Sequence, residues 1–213
     1  TEIYTLSLHD ALPICDKEWV HVAVAFNKDE RVLYLNGTKI ASERDAGRLD
    51  GSAGIAVGSE PGGKKAFCGS LEDLKIYNVA LTSIEDAAAK PSHNYPPDGM
   101  VLHYDFELPA GKKPWNADAK TGDEPYEIKN LAAPKIEATV ENIWDTAVPV
   151  ASKFADKTDK QAWRFSRGEN PKTSRIIIPA GTPSMELRQG TMIISMNYEW
   201  LTNAGDPRSW FIG

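Results

Sequence analysis

Carboxylate side chains lie on two short alternating segments, one in each half of the chain. Glu72 and Asp73 are adjacent, so a regular strand would direct them to opposite faces. Asp105 and Glu107 alternate and would share one face. Two carboxylates on one face can act as acid and nucleophile in glycoside hydrolysis, or supply oxygen ligands to Ca²⁺. These four residues are therefore the first candidates for chemistry.

Other catalytic groups do not accompany these carboxylates at a motif spacing. His21, His93 and His103 have no Ser, Cys or carboxylate at such a spacing, and the sequence contains no phosphate-binding glycine loop or Cys/His cluster. His21 lies in an alternating run, which favours a half-buried strand residue with one hydrogen bond over a base or ligand. We therefore expect that the chain is not an enzyme.

Aromatic side chains are the second kind of candidate. Trp115, Tyr126 and Trp144 lie in or near segments rich in turn residues, where a flat ring can stack on a sugar ring. The same rings could instead cover the edges of a sheet. Trp19 and Trp163 fall within strand patterns and are expected in the core.

Short alternating runs broken by turn residues position these side chains. Residues 19–26, WVHVAVAF, predict a strand with one deeply buried face. Asn36-Gly37 predicts a hairpin, because both residues accept the positive φ of a type I′ turn. One short helix is expected near residues 82–89. The other segments predict strands at intervals of about ten residues, so the fold class is all-β, with an antiparallel sandwich or barrel.

Residues 91–99 are rich in proline and separate two β-rich segments, 15–90 and 100–213. Such a composition cannot continue a strand or a helix, so we interpret it as a linker. Residues 1–14, TEIYTLSLHDALPI, resemble no targeting signal. Back-translated with one choice of codons, they read as a common short-read sequencing adapter. We expect this segment to be an artefact, and the chain to be a fragment of a longer protein.

The charge and hydropathy of the chain limit the classes of partner that it is expected to bind. The net charge is −6 over 213 residues, and removing Glu2 and Asp10 with residues 1–14 leaves −4. No basic face is therefore expected for nucleic acid. The sequence contains no run of the roughly 18 apolar residues that a membrane helix needs, so we expect no membrane insertion. Cys68 lies in an apolar run typical of a small buried side chain, and it does not report the redox compartment.

The order of the segments from Trp19 to about Asp86 resembles the C-terminal half of a laminin-G-like, concanavalin-A-like jelly-roll domain. Trp19 and His21 match the W-x-H strand of that family, and YLNG matches its Y-x-N-G hairpin. GSLEDLKIYNVAL matches its late strand, G-x-x-D-D-V-R-I-Y-N-x-x-L. The resemblance implies a jelly-roll sandwich for this half of the chain.

The segment after residue 99 resembles the N-terminal half of a second copy. VLHYDFE resembles the opening strand of the family, and QGTMIISMNYEW its F-T-I-S-x-W strand. Asn130-Leu131-Ala132 replaces the usual Asp-Ser-Gly. The fragment would then hold the back half of one sandwich and the front half of the next, and we expect the halves to pack as one permuted sandwich. Strand pairing between residues 66–79 and 100–107 would support that packing.

The resemblance also implies a function and a setting. Glucanases of this fold carry three alternating carboxylates on one strand, a pattern that is missing from this sequence. We therefore expect a non-catalytic, extracellular or cell-surface module that binds a glycan or an extracellular protein, beside neighbouring domains of a longer chain. The alternative is a structural accessory domain of a secreted glycoside hydrolase, with no ligand of its own. Relatives often bind a structural Ca²⁺ between the opening and late strands, which implies Asp105 or Glu107 and Glu72 or Asp73 as ligands; Asp73 and Asp105 are the leading candidates.

Overall fold

The computed structural model describes eleven segments of the chain: residues 19–44, 49–50, 55–59, 67–81, 99–106, 128–132, 137–141, 145–147, 162–165, 175–179 and 186–198. Within them the chain forms strands and no helix, which confirms the predicted all-β class. The helix expected near residues 82–89 lies outside the described segments. The strands are β1 (Trp19–Phe26), β2 (Glu30–Leu35), β3 (Thr38–Arg44), β4 (Leu49–Asp50), β5 (Ile55–Val57), β6 (Gly69–Tyr77), β7 (Met100–Tyr104), β8 (Ile128–Lys129), β9 (Glu137–Glu141), β10 (Asp145–Ala147), β11 (Ala162–Phe165), β12 (Arg175–Ile178), β13 (Glu186–Leu187) and β14 (Gly190–Tyr198).

The described strands form two main antiparallel sheets. The large sheet has eight strands in the order β10-β11-β6-β14-β1-β2-β3, with β7 also paired to β6. The smaller sheet has the order β5-β12-β9-β8, and β13 pairs with β4 separately. Each main sheet contains strands from both sides of the proline-rich segment. The two parts of the chain therefore share their sheets rather than forming one sheet each.

Strand β14 joins the two parts of the large sheet because it lies between β1 and β6. It pairs with β1 from Trp19↔Asn197 to Phe26↔Gly190. On its other edge it pairs with β6 from Thr191↔Tyr77 to Tyr198↔Gly69. The first half of the chain thus supplies strands on both sides of a strand that comes more than a hundred residues later.

The edge of β6 opposite β14 is shared by two other strands. Residues 69–71 pair with β11, and residues 74–77 pair with β7. The pairing of β6 with β7 confirms the predicted contact between residues 66–79 and 100–107. The assignment of the two segments to separate copies of one domain stays a prediction.

The hairpin between β2 and β3 forms as the sequence predicts. Asn36 and Gly37 have φ angles of 48° and 74°, the left-handed values that a type I′ turn requires at both central positions. Leu35 and Thr38 close the turn as the last pair of the ladder. The turn type matches the right-handed twist of the strands that it joins, and the ladder of β2 and β3 has one register shift, between Leu33 and Tyr34.

The main core lies between the two sheets. Alternate residues of β1, β6 and β14 face the apolar side chains of β5 and β12, consistent with period-two alternation. Cys68 is buried, as predicted, and Trp163 is fully buried with its ring 5.6 Å from that of Phe106. The prediction that Trp19 lies in this core is wrong. Trp19 alternates with the inward-facing Val20, so it lies half-buried on the outer face of the large sheet.

Tyr104 places a hydroxyl inside this apolar core. The side chain is fully buried, and its hydroxyl has no hydrogen-bond partner among the described residues. Burial raises the pKa of the phenol, because the charged form would lose its hydration. A buried hydroxyl without a partner costs about 1 to 3 kcal/mol of stability relative to one that is paired.

We expect Tyr104→Phe to leave the free energy of unfolding unchanged or to raise it by about 1 kcal/mol, because the substitution removes only the desolvated hydroxyl. Urea unfolding of the full chain measures this change. Leu102→Ala on the same strand is the matched control and should lose about 2 to 5 kcal/mol, since it opens a cavity. A clear loss of stability in Tyr104→Phe would contradict this account of the hydroxyl.

Candidate functional site

A group of polar side chains lies on the outer face of the large sheet, opposite the main core. His21, Ser195 and Glu72 are in register across β1, β14 and β6. All three are buried, at 6%, 8% and 2% exposure. Lys75 of β6 is in register with His103 of β7. We call Glu72, Asp73, Lys75, His21 and His103 the polar cluster.

A β-bulge in β6 places Asp73 within this cluster. The register changes between Ile193 and Ser195, because Ile193 faces Lys75 whereas Ser195 faces Glu72. Strand β6 therefore holds one more residue than β14 at this point. Asp73 has a φ of 55°, in the left-handed region that Asp tolerates better than most residues. It lies between the stretches of β6 that pair with β11 and β7, where a bulge can redirect a side chain.

The carboxylate of Asp73 contacts two potential cations. Its Oδ1 atom lies 2.8 Å from Nε2 of His103, and its Oδ2 atom accepts a short hydrogen bond from Nζ of Lys75. The side chains of Lys75 and Asp73 are only 3% and 9% exposed, whereas that of His103 is 22% exposed. Because both buried charges are paired, each offsets part of the desolvation cost of the other. His103 is the member of this trio that solvent can reach best.

Burial keeps His21 neutral at physiological pH. The pKa of its imidazole is lowered to about 4, chiefly by desolvation and also by the nearby Lys75, while Asp73 partly opposes the shift. A neutral, buried imidazole agrees with the expectation of a structural His21. Its electrostatic coupling to Lys75 and Asp73 nevertheless places it in the polar cluster.

Asparagine side chains hold the backbone at both histidines. The His21 amide donates to Oδ1 of Asn36 at 2.9 Å, and the Asn36 amide donates to the His21 carbonyl at 2.7 Å. The His103 amide donates to Oδ1 of Asn130 at 2.9 Å, and the Leu131 amide donates to the His103 carbonyl at 3.0 Å. Nδ2 of Asn130 also donates to the Val101 carbonyl at 3.0 Å.

The calcium ligands predicted from the sequence are only partly described. Asp73 has one oxygen on Lys75 and the other on His103, and Asp105 is half-buried. A lysine ammonium on the carboxylate does not fit a site for a second cation. Among the described residues, no group of three or more His, Cys, Asp or Glu could hold a metal ion. Calcium binding at Asp73 and Asp105 stays a prediction that these contacts do not favour.

The predicted glycan-binding rings, Trp115, Tyr126 and Trp144, lie outside the described residues, as does Glu107. They stay predictions. The sequence reasoning missed Lys75 and His103 as partners of Asp73. Two signals could have identified them: Lys75 interrupts an apolar run two residues after Asp73, and His103 lies on the strand expected to pair with that run.

The described chain is an antiparallel β-sandwich, with polar chemistry on the outer face of its larger sheet. In the part of the chain that the structure describes, no helix is long and apolar enough to cross a membrane. Residues 2–85 match a laminin-G family model described as the concanavalin A-like lectin/glucanases superfamily. The match includes part of residues 1–14, whose interpretation as adapter stays a prediction. Neither a curated protein nor a solved structure matches the chain.

His21 makes the stability of the fold depend on pH. A histidine whose pKa is lower in the folded state binds its proton more readily when unfolded, so acid favours unfolding. The contribution is complete above the unfolded pKa of 6.5 and is lost as the pH falls towards 4. As the pH falls through this window, the unfolding free energy of the wild type should decrease by up to about 3 kcal/mol relative to that of His21→Gln. Urea titrations across the window measure it; parallel curves for the two proteins would contradict the assignment.

Asp73→Asn should show the cost of removing the carboxylate charge that lies against the buried Lys75 ammonium. Asparagine tolerates the left-handed backbone as aspartate does, so the change isolates the charge. We expect a loss of about 3 to 5 kcal/mol in the free energy of unfolding. The double variant Asp73→Asn/Lys75→Met is the control. Its loss of unfolding free energy should be smaller than the sum of the two single losses by about 1 kcal/mol or more. Strict additivity of the two substitutions would count against the buried pair.

Proposed function

We propose that this sandwich is a non-catalytic carbohydrate-binding module, and that it binds its ligand on the outer face of the large sheet at the polar cluster. The observation that carries the proposal is the partly exposed imidazole of His103, fixed against Asp73. The match of residues 2–85 to a superfamily of lectins and glucanases supports a carbohydrate-binding or structural module.

The chemistry of this face suits a sugar. When Nε2 of His103 donates to Asp73, its Nδ1 atom is the acceptor for a ligand hydroxyl. Trp19 in β1 and Tyr34 in β2 lie half-buried on the same face, three and four strands from β7, so a ligand that contacts His103 and one of these rings must be an oligosaccharide that extends across the sheet. Such a site would combine a few fixed polar groups with aromatic surface on one face of the sheet, a composition typical of small-molecule sites.

The contacts of Asp73 favour binding over hydrolysis. A glycosidase needs one carboxyl group to donate a proton and a second to act as nucleophile or base. Asp73 is held by Lys75 and His103 through both oxygens, which disfavours either role. We therefore assign the polar cluster to recognition.

The proposed setting is outside the cell, in a longer secreted or surface-attached protein. This part of the proposal comes from the laminin-G resemblance, since tandem arrays of the fold are usual in such bacterial proteins. The competing function is a structural accessory module of a secreted glycoside hydrolase. The buried pairing of Asp73 with Lys75 is equally consistent with that alternative, because the pair is complete without a ligand.

Glycan-array binding by the full chain tests the proposal. We expect binding to a neutral oligosaccharide, measured afterwards by calorimetry. His103→Ala should weaken the affinity by about tenfold, because it removes a hydrogen bond at a desolvated site. Glu43→Ala on the exposed edge strand β3 is the matched control and should bind as the wild type does. The absence of any glycan ligand, or equal binding by His103→Ala, would leave the structural accessory module as the better assignment.

A further inference from the structure

The two histidines of the polar cluster lie in strands on either side of β6 and β14. His21 is in β1, which pairs with β14, and His103 is in β7, which pairs with β6. At His21 both backbone hydrogen-bonding groups are directed away from β14, and at His103 both are directed away from β6. Residues 36 and 130–131 take them up instead.

This direction of the backbone brings the side chains together. In an antiparallel ladder, residues whose amide and carbonyl groups both point away from the partner strand form the non-hydrogen-bonded pairs, in which opposite side chains approach more closely. His103 stands in such a pair with Lys75, and His21 in such a pair with Ser195. The close pairing with Lys75 explains how residues from β6 and β7 both reach the Asp73 carboxylate.

The two asparagines use different chemistry for the same task. Asn36 holds His21 with one side-chain acceptor and its own backbone amide. Asn130 is 2% exposed and uses its whole side-chain amide: Oδ1 accepts from His103 and Ala132, and Nδ2 donates to Val101. The side-chain amide of Asn130 therefore forms hydrogen bonds to β7 like those that a backbone peptide group in an adjacent strand would form.

We propose that Asn36 and Asn130 are positioning residues that hold the imidazoles of His21 and His103 on opposite sides of the Asp73–Lys75 pair. Each asparagine acts through hydrogen bonds to the backbone of the histidine. The role of this arrangement in ligand binding rests on the proposed function. The arrangement itself needs no ligand.

The same substitution at the two sites tests this proposal, because Asn→Asp keeps the acceptor and removes the donor. Asn36→Asp should leave amide hydrogen exchange at His21 within about twofold of the wild type, since its oxygen still accepts. Asn130→Asp should raise exchange at His103 by about tenfold or more, because a carboxylate oxygen then opposes the Val101 carbonyl. The measurement uses the full chain labelled with ¹⁵N, and Ile194 of β14 reports global folding.

A second readout follows the imidazole itself. The Nε2 proton of His103 should give a slowly exchanging resonance in the wild type and in Asn36→Asp, and this resonance should disappear in Asn130→Asp. Should Asn130→Asp fail to fold, Asn130→Ala serves in its place, because it removes the hydrogen bonds without adding a repulsive charge. Equal effects of Asn→Asp at both sites, an unchanged His103 resonance in Asn130→Ala, or loss of Ile194 protection in both Asn130 variants would overturn the proposal. These outcomes do not depend on whether the chain binds a glycan.

Discussion

The insertion of β14 between β1 and β6 is the constraint on which the rest of the structure depends. At each end of β14 the backbones of β14 and β6 lie so close together that a glycine is required, Gly190 at one end and Gly69 of β6 at the other. A Cβ atom on Gly190 would lie 2.6 Å from the Tyr77 carbonyl oxygen, and one on Gly69, which faces the other end of β14, would lie 2.1 Å from that of Asn197. Such close approach requires glycine at both positions in the observed register of the large sheet. The register in turn aligns His21, Ser195 and Glu72 and places the bulge at Asp73.

The polar cluster contains charged side chains in a buried environment, where an ionised group is costly. Buried ion pairs contribute little net stability compared with apolar side chains of the same volume, but they are severely destabilising when one partner is lost. Asp73 also adopts a backbone conformation that few residues tolerate, and such conformations concentrate at functional sites. The cluster thus combines a desolvated pair, Asp73 and Lys75, with one solvent-accessible group, His103, that the pair holds in place.

The sequence predicted the all-β class, the type I′ hairpin at Asn36-Gly37 and the pairing of β6 with β7, because each depends on local period or turn chemistry. It did not predict the bulge, since nothing in LEDLKIY marks the extra residue except the loss of strict alternation. For the same reason Glu72 and Asp73 were expected to be simple neighbours on opposite faces, whereas the assignment of Asp73 to calcium followed from the family resemblance. The role of Asn130 was equally inaccessible, because a side chain that bonds as a peptide group does is recognisable only once the adjacent strand is known.

The position of β14 also determines the order in which the strands of the large sheet can pair during synthesis. Strand β1 has its hairpin partner β2 as soon as residue 35 has been made, but β1 and β6 can join one sheet only after residue 198. Contacts across such separations are slow to form, because the entropy of closing the loop is lost before the contact is gained. During synthesis, at about 5 to 20 residues per second, β6 therefore waits for several seconds with the edge that β14 will cover still open. Its apolar residues remain available to other chains throughout that interval, which makes the completion of β14 the step that protects the nascent protein from aggregation.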